Sequence, residues 1–409
     1  MIRFANLPLF GLILLLFQTF HFNCKSQTSD VREETIDPPT EVAEPAPIHT
    51  GAERTEQYFP TLRGKRLGLI VNPSSRVGDE HLVDTLLAAR MNIARIFSPE
   101  HGYRGTADAG EKVQDGMDPV SGAPVRSLYG KSRRPALDDL RAVDLLVFDL
   151  QDVGVRFYTY IATLHHVMDA AVEAGVPVLI LDRPNPNGHY VDGPVMEVAH
   201  TGFLGMHAGV PLVHGMTVGE YARMMNEEGW LPSGRAQLEV VPLENWTHQT
   251  PYSLPVRPSP NLPNDQSIRL YPSLGLFEGT YVNAGRGTEM QFQVFGSPHL
   301  PAEQYSFRYT PQPNFGAKYP KHDGVAVNGL DLRTVEPGDQ IQLGWLLGAY
   351  RDHAQKADFF KDAGFTAHAG TEQLRRQMEA GLSEAEIRAS WAAGIAAFRV
   401  VRERYLLYP

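Results

Sequence analysis

Between Lys65 and Asp182 the chain alternates between short, wholly apolar runs and longer segments with helical spacing, and this alternation limits the possible folds more than any other feature. "KRLGLIV" predicts a strand ending at Asn72-Pro73, "DEHLVDTLLAAR" spaces Leu82, Leu86 and Leu87 as a helix does, and "ARIFS" predicts a second strand. "PALDDLRAV" then predicts a short helix, "DLLVFDL" a third strand, "YTYIATLHHVMDAAVEAG" a long helix closing at Gly175, and "VPVLILD" a fourth strand. A sheet with one wet face would alternate polar and apolar residues along each strand. These runs do not, so the sheet they form is parallel and covered by helices on both faces.

The expected fold is therefore α/β, a Rossmann-like parallel sheet domain spanning residues 58–295. A further helix is expected at "TVGEYARMMNEEG" and a strand at "AQLEVVPL". The stretch "SPNLPNDQSIRLYPSLGLFEGTYVNAGRGTEMQFQVFG" is punctuated by Pro and Gly and reads as a long ordered loop with a functional role. Beyond about Phe295 the pattern changes, and "GVAVNGLDLRTVEPGDQIQLGWLLGAYRDH" with two late helices predicts a second, smaller α+β C-terminal domain over 296–409.

The residues after the four strands are polar: Asn72; Glu100 and His101; Gln151, Asp152 and Arg156; Asp182, Arg183 and Asn185. In open α/β sheets ligands bind outside the carboxyl ends of the strands, so all four runs direct their chemistry at one crevice.

Ahead of this region lies "MIRFANLPLFGLILLLFQTFHFNC", with an apolar run from Leu7 to Phe20 too short to span a bilayer comfortably and the sole cysteine, Cys24, just after it. Residues 1–24 read as a secretory signal whose Cys24 is lipidated, and residues 25–57, polar, acidic and proline-bearing at first, as a disordered tether. An exported protein, periplasmic or anchored to the outer membrane through that lipid, is expected. The net charge of −10, with no basic run, argues against a nucleic-acid partner.

Several chemistries are excluded by what is missing. No G-x-S-x-G elbow and no H-E-x-x-H occurs, and "GTADAGEK" has Glu111 where a P-loop needs Lys. "IVNPSSR" carries no glycine fingerprint for a dinucleotide, so no cofactor is expected. His165 and His166 are neighbours on a helix and point apart, His207 and His214 fall in separate loops, and no metal site is expected.

Carboxylates remain. Glu100 ends a strand, with Pro99 before it and Gly102 and Gly105 after it, an arrangement that presents a rigid acid to a pocket; capping a neighbouring helix or pairing with Arg104 would explain it equally well. Glycoside hydrolysis uses such an acid and, in most families, a second carboxylate, for which Asp149, Asp152, Glu278 and Glu289 are candidates. Asp152 and Glu278 are better placed than the strand residue Asp149, although either could instead orient Arg156 or Arg286. Arg104, Arg156, Arg183 and Arg286 all fall in loops marked by Gly or Pro, where guanidinium groups suit a carboxylate-bearing ligand.

"FSPEHGYRG", "VFDLQDVGVRFYTYIATL", "LDRPNPNG", "FEGT" and "GRGT" together resemble the exo-β-N-acetylmuramidase family, over nearly the whole chain from about Lys65 onward. The resemblance implies a glycosidase that removes terminal N-acetylmuramic acid from the non-reducing end of peptidoglycan fragments, with the pocket between a Rossmann-like and an auxiliary domain. It places the catalytic glutamate on Glu100, with His101 beside it. Asn72, Gln151, Asp152, Arg156, Tyr158, Arg183, Asn185, Glu278 and Arg286 match motif positions without individual roles. The lactyl carboxylate of such a substrate would favour arginine partners, and its 2-acetamido group permits a substrate-assisted route. The competing reading is a non-catalytic lipoprotein that captures muropeptides or other sugars in the same crevice.

Overall fold

The apolar runs become a seven-stranded sheet. The computed structural model describes residues 46–99, 102–104, 115–130 and 132–409, of which Ala46–Pro409 is one compact unit. Its strands are β1 (Arg66–Val71), β2 (Arg76–Val77), β3 (Glu80–His81), β4 (Asn92–Ser98), β5 (Gly116–Met117), β6 (Pro124–Ser127), β7 (Leu145–Asp149), β8 (Val178–Leu181), β9 (Asp192–Val195), β10 (Pro211–Val213), β11 (Leu238–Val241), β12 (Val294–Ser297), β13 (Phe307–Tyr309) and β14 (Val327–Asp331). The large sheet runs β11-β8-β7-β1-β4-β6-β5, parallel throughout except where β5 turns back along β6.

Strand periodicity divides the core in two. Leu67, Leu69 and Val71 with Val147 and Leu179 pack on one face, while Ile70, Phe148 and Ile180 pack on the other. Both faces are dry, as the uninterrupted apolar runs require.

The helices are α1 (Thr55–Leu62), α2 (Leu82–Ala88), α3 (Leu137–Leu140), α4 (Tyr160–Ala174), α5 (Val218–Glu227), α6 (Asp265–Leu274), α7 (Leu343–Asp352), α8 (Asp362–Ala369), α9 (Gln373–Glu379) and α10 (Glu384–Glu403). Gly175 ends α4 at φ 69°, the left-handed conformation that favours glycine there. Thr217 and Glu220 form a capping box at the start of α5. The helix expected from Asp79 begins only at Leu82, because Glu80–His81 pairs with Arg76–Val77 as a hairpin.

The segment expected to be one long loop holds α6. Its prolines hide the helix: Pro272 has no N–H for the carbonyl of Ile268, one turn back, and the Asn187 side chain donates to that carbonyl at 3.2 Å instead. In the C-terminal part, β12-β14-β13 form a small antiparallel sheet, accompanied by four α-helices among the described residues rather than two. Phe359 and Phe365 of that part share a core with Val155 and Phe157, so the two parts are cemented at the loop that follows β7.

Candidate active site

The loop after β7 delivers Phe157, Tyr158, Thr159 and Tyr160 to the wall of a cleft of about 200 Å³. Asn72, the first residue past β1, donates from Nδ2 to the Tyr160 hydroxyl at 2.8 Å while its Oδ1 accepts from the Ser74 amide at 2.9 Å. Tyr158 donates to the carbonyl of Pro258 at 2.5 Å and meets Tyr160 edge-on, with ring centroids 4.9 Å apart. Tyr271 of α6 and Phe292 add a further edge-on pair at 4.8 Å. The strand ends thus hold a set of aromatic rings, which offer a sugar flat apolar surface with polar tips.

The polar wall comes from the C-terminal part. Glu278 lies in a 3₁₀ turn (Gly275–Gly279), and its Oε2 accepts from Arg286 Nη1 at 2.7 Å. Arg286 Nη2 also donates to the carbonyl of Gly316 at 3.1 Å. Beneath the turn, the Lys321 ammonium donates to the carbonyls of Phe277, Glu278 and Val282 at 2.7 to 3.1 Å. Burial pushes the Glu278 carboxyl up, but the charges of Arg286 and Lys321 outweigh it and hold the group down at about 2. Burial lowers Lys321 to about 7, against the pull of Glu278. His368, near the end of α8, completes this side, its ring 5.3 Å from that of Phe157.

Of the residues expected to form the site, Tyr158, Glu278 and Arg286 line the cleft. Glu100, His101 and the lipidation candidate Cys24 lie outside the described residues. The other residues support the cleft or lie apart from it. Gln151 donates to the carbonyls of Asp152 and Pro184, both at 2.7 Å. Asn185 donates to the Met216 carbonyl and packs under Gly154, where a Cβ would come within 2.4 Å of its amide. Asp182 accepts from Thr217, Gly219 and Tyr408, fixing the start of α5.

The arginines do not converge. Arg104 pairs with Asp84 at 2.9 Å, beside α2. Arg183 forms a buried pair with Asp149 at 2.6 Å. Arg156 is fully buried and donates to four carbonyls, those of Pro194, Val210, His368 and Ala369, the last two at the end of α8. Of the four, only Arg286 lines the cleft. Glu278 does pair with Arg286, whereas Asp152 does not pair with Arg156.

Asp152 is buried away from the cleft lining. Its Oδ2 accepts from the Gly154 amide at 2.7 Å and lies 3.7 Å from His214 Nε2, while Oδ1 has no hydrogen-bond partner among the described residues. Burial raises this carboxyl to about 7, against the backbone N–H groups of Gly154 and Val153, and lowers His214 to about 3. Glu289 is exposed. Tyr160, Tyr271, Phe292, Lys321 and His368 went unnoticed in the sequence. Tyr160 had a signal, since it closes the "RFYTY" run; His368 had none, because its place depends on how α8 packs.

An α/β sheet with an aromatic cleft at its strand ends, closed by an antiparallel C-terminal part, describes the class of protein. Residues 67–266 match the family described as exo-β-N-acetylmuramidase NamZ, N-terminal, and residues 269–408 its C-terminal counterpart. The chain belongs to this exo-β-N-acetylmuramidase family. It is 35% identical over 416 residues to the peptidoglycan β-N-acetylmuramidase NamZ of Bacillus subtilis, covering 97% of each chain. Two crystal structures of DUF1343 family proteins from Bacteroides fragilis share the fold. One has TM-score 0.82 and 42% identity, covering 89% of this chain and 99% of that one. The other has TM-score 0.77 and 29% identity, covering 88% and 99%.

Proposed function

We infer that this protein is an exo-acting glycoside hydrolase that releases terminal N-acetylmuramic acid from the non-reducing end of peptidoglycan fragments, with Glu100 as the general acid. Family membership across residues 67–408 carries the activity. Support for the acid comes from the cleft. Glu278 is the one carboxylate among its described lining residues, and a group held at about 2 stays ionised at neutral pH and has no proton to give. The acid must be another residue. Glu100 follows β4, which pairs with β1, and β1 leads into Asn72 and so to Tyr160.

In this reading the rings of Tyr158, Tyr160, Tyr271 and Phe292 hold the sugar, and the Arg286 guanidinium, already fixed by Glu278, accepts the lactyl carboxylate. Glu100 protonates the leaving oxygen as the glycosidic bond breaks. The test is release of chromophore from an aryl β-N-acetylmuramide by protein lacking residues 1–45, beside the N-acetylglucosaminide and Glu100→Gln. Turnover of the muramide alone, lost in the variant, is expected. Binding of muropeptides without turnover would make the protein a capture lipoprotein.

The same reading places the protein outside the cytoplasm, tethered through a lipid on Cys24. The apolar run before that cysteine and the polar segment after it support this, and a substrate in the cell wall agrees with it. Mass spectrometry of the mature N-terminus decides: a diacylglyceryl cysteine at position 24 is expected, and a mature chain beginning elsewhere would refute the anchor.

A further inference from the structure

The Glu278 turn and α8 approach closely enough that Gly279 has room for no side chain, since a Cβ would sit 2.3 Å from the Phe365 Cα. At the other end of α8, Arg156 donates to the carbonyls of His368 and Ala369. His368 is thus held from both sides at the cleft wall. We propose that His368 is a further catalytic residue of this site, its Nε2 accepting a hydrogen bond from the terminal sugar, a role open only to the neutral imidazole.

The proposal rests on the muramidase reading and on three observations. His368 Nδ1 lies 2.8 Å from the carbonyl of Gly364, which can only accept, so the ring hydrogen is on Nδ1 and the lone pair is on Nε2. Nε2 has no hydrogen-bond partner among the described residues, and the side chain lines the cleft. The charged groups nearby are already engaged, Glu278 Oε2 by Arg286 and, beneath the turn, Lys321 by three carbonyls. A sugar presents hydroxyl and acetamido N–H donors, and His368 Nε2, like Asn261 Oδ1 in the same lining, is an acceptor open to one.

The groups that set its charge are Glu278 from the 3₁₀ turn, Lys321 from a loop beyond it and Arg156 from the β7–α4 connection; Arg286 and Tyr271 of α6 share the cleft lining with it. Burial, aided by Lys321 and Arg156, lowers the imidazole below its usual range despite the Gly364 bond and Glu278, so it is neutral at pH 7. Acid converts Nε2 into a donor, and the contact is lost.

The experiment follows kcat/KM for an aryl β-N-acetylmuramide against pH in the wild type, His368→Gln and His368→Ala, with Tm measured alongside. His368→Ala should lose roughly 100-fold at pH 7. His368→Gln keeps an acceptor oxygen that does not titrate, so it should retain more activity and lose the wild type's acid limb. An unmoved acid limb in His368→Gln, or activity losses that only track Tm, would make His368 structural and overturn the proposal. No turnover by the wild type would overturn the muramidase reading and this proposal with it, whereas wild-type turnover with full activity in His368→Ala would overturn the proposal alone.

Discussion

Gly279→Ala tests whether the cleft depends on the fit between the 3₁₀ turn and α8. The added Cβ would lie 2.3 Å from Phe365 Cα, 2.6 Å from its amide nitrogen and 2.9 Å from the carbonyl carbon of Gly364. All three atoms are backbone and cannot rotate away. Restoring ordinary contact, near 3.5 Å, requires α8 to retreat by about 1 Å. That movement strains two hydrogen bonds across the junction, Lys361 N–H to Gly279 O at 2.9 Å and Tyr281 N–H to Phe359 O at 2.7 Å. Overpacking costs about 1–3 kcal/mol and each weakened bond about 1 kcal/mol, so a loss of about 3–5 kcal/mol is expected in urea unfolding. Because α8 carries His368, a shift of that size should also lower kcat/KM by about 10- to 100-fold in the fraction that remains folded. Gly116→Ala is the control, since nothing lies within 4 Å of its Cβ position. A Gly279→Ala protein with wild-type unfolding midpoint and wild-type kcat/KM would refute the reasoning.

Three further outcomes follow from the buried charges. Arg183→Met leaves the fully buried Asp149 carboxylate without its partner and should cost about 3–5 kcal/mol, with the Arg183→Met/Asp149→Leu double variant recovering much of it; equal stability of the two in urea would show that the pair is not coupled. Asp152, raised by burial to about 7, keeps its proton in the folded state between about pH 4 and pH 7 while the unfolded chain has lost it, so its contribution is complete below pH 4 and is lost as pH rises toward 7. Asp152→Asn has no such loss, and its stability relative to the wild type should grow by about 4 kcal/mol at most from pH 4 to pH 8; a pH-independent difference would contradict the burial argument. Glu278→Gln should reduce kcat/KM at least tenfold by loosening Arg286 yet leave the acid limb in place, since the carboxyl titrates near 2; a limb that disappears with this substitution would make Glu278 the titrating group.

What could be read from the sequence divides along the same physical line. The sheet was legible because burial on both faces leaves its strands apolar throughout, and Gly175 marked the end of α4 by local chemistry alone. Helix α6 was not legible, because the compensation for Pro272 comes from Asn187, far away in sequence. The same holds for the arginines. Loop position and residue type suggested ligand contacts for Arg156 and Arg183, but their partners are carbonyls of distant segments in one case and a strand carboxylate in the other. Tyr158, Glu278 and Arg286 are the motif residues that also line the cleft.

Asn72, Gln151 and Arg156 lie outside the cleft lining and support it from behind. Asn72 fixes the Tyr160 hydroxyl, Gln151 ties the loop after β7 to the loop after β8, and Arg156 holds the end of α8. Two of the groups that reach the cleft, Glu278 and His368, have their charge states set by shared neighbours in opposite ways. Lys321 helps to hold the Glu278 carboxylate ionised and helps to keep the His368 imidazole neutral. Near neutral pH the described residues of this wall thus carry one fixed anion, paired to Arg286, and one uncharged acceptor, and among them is no carboxylic acid of the kind glycoside cleavage needs. So arranged, the described wall is built to bind and orient a sugar acid rather than to protonate its leaving group.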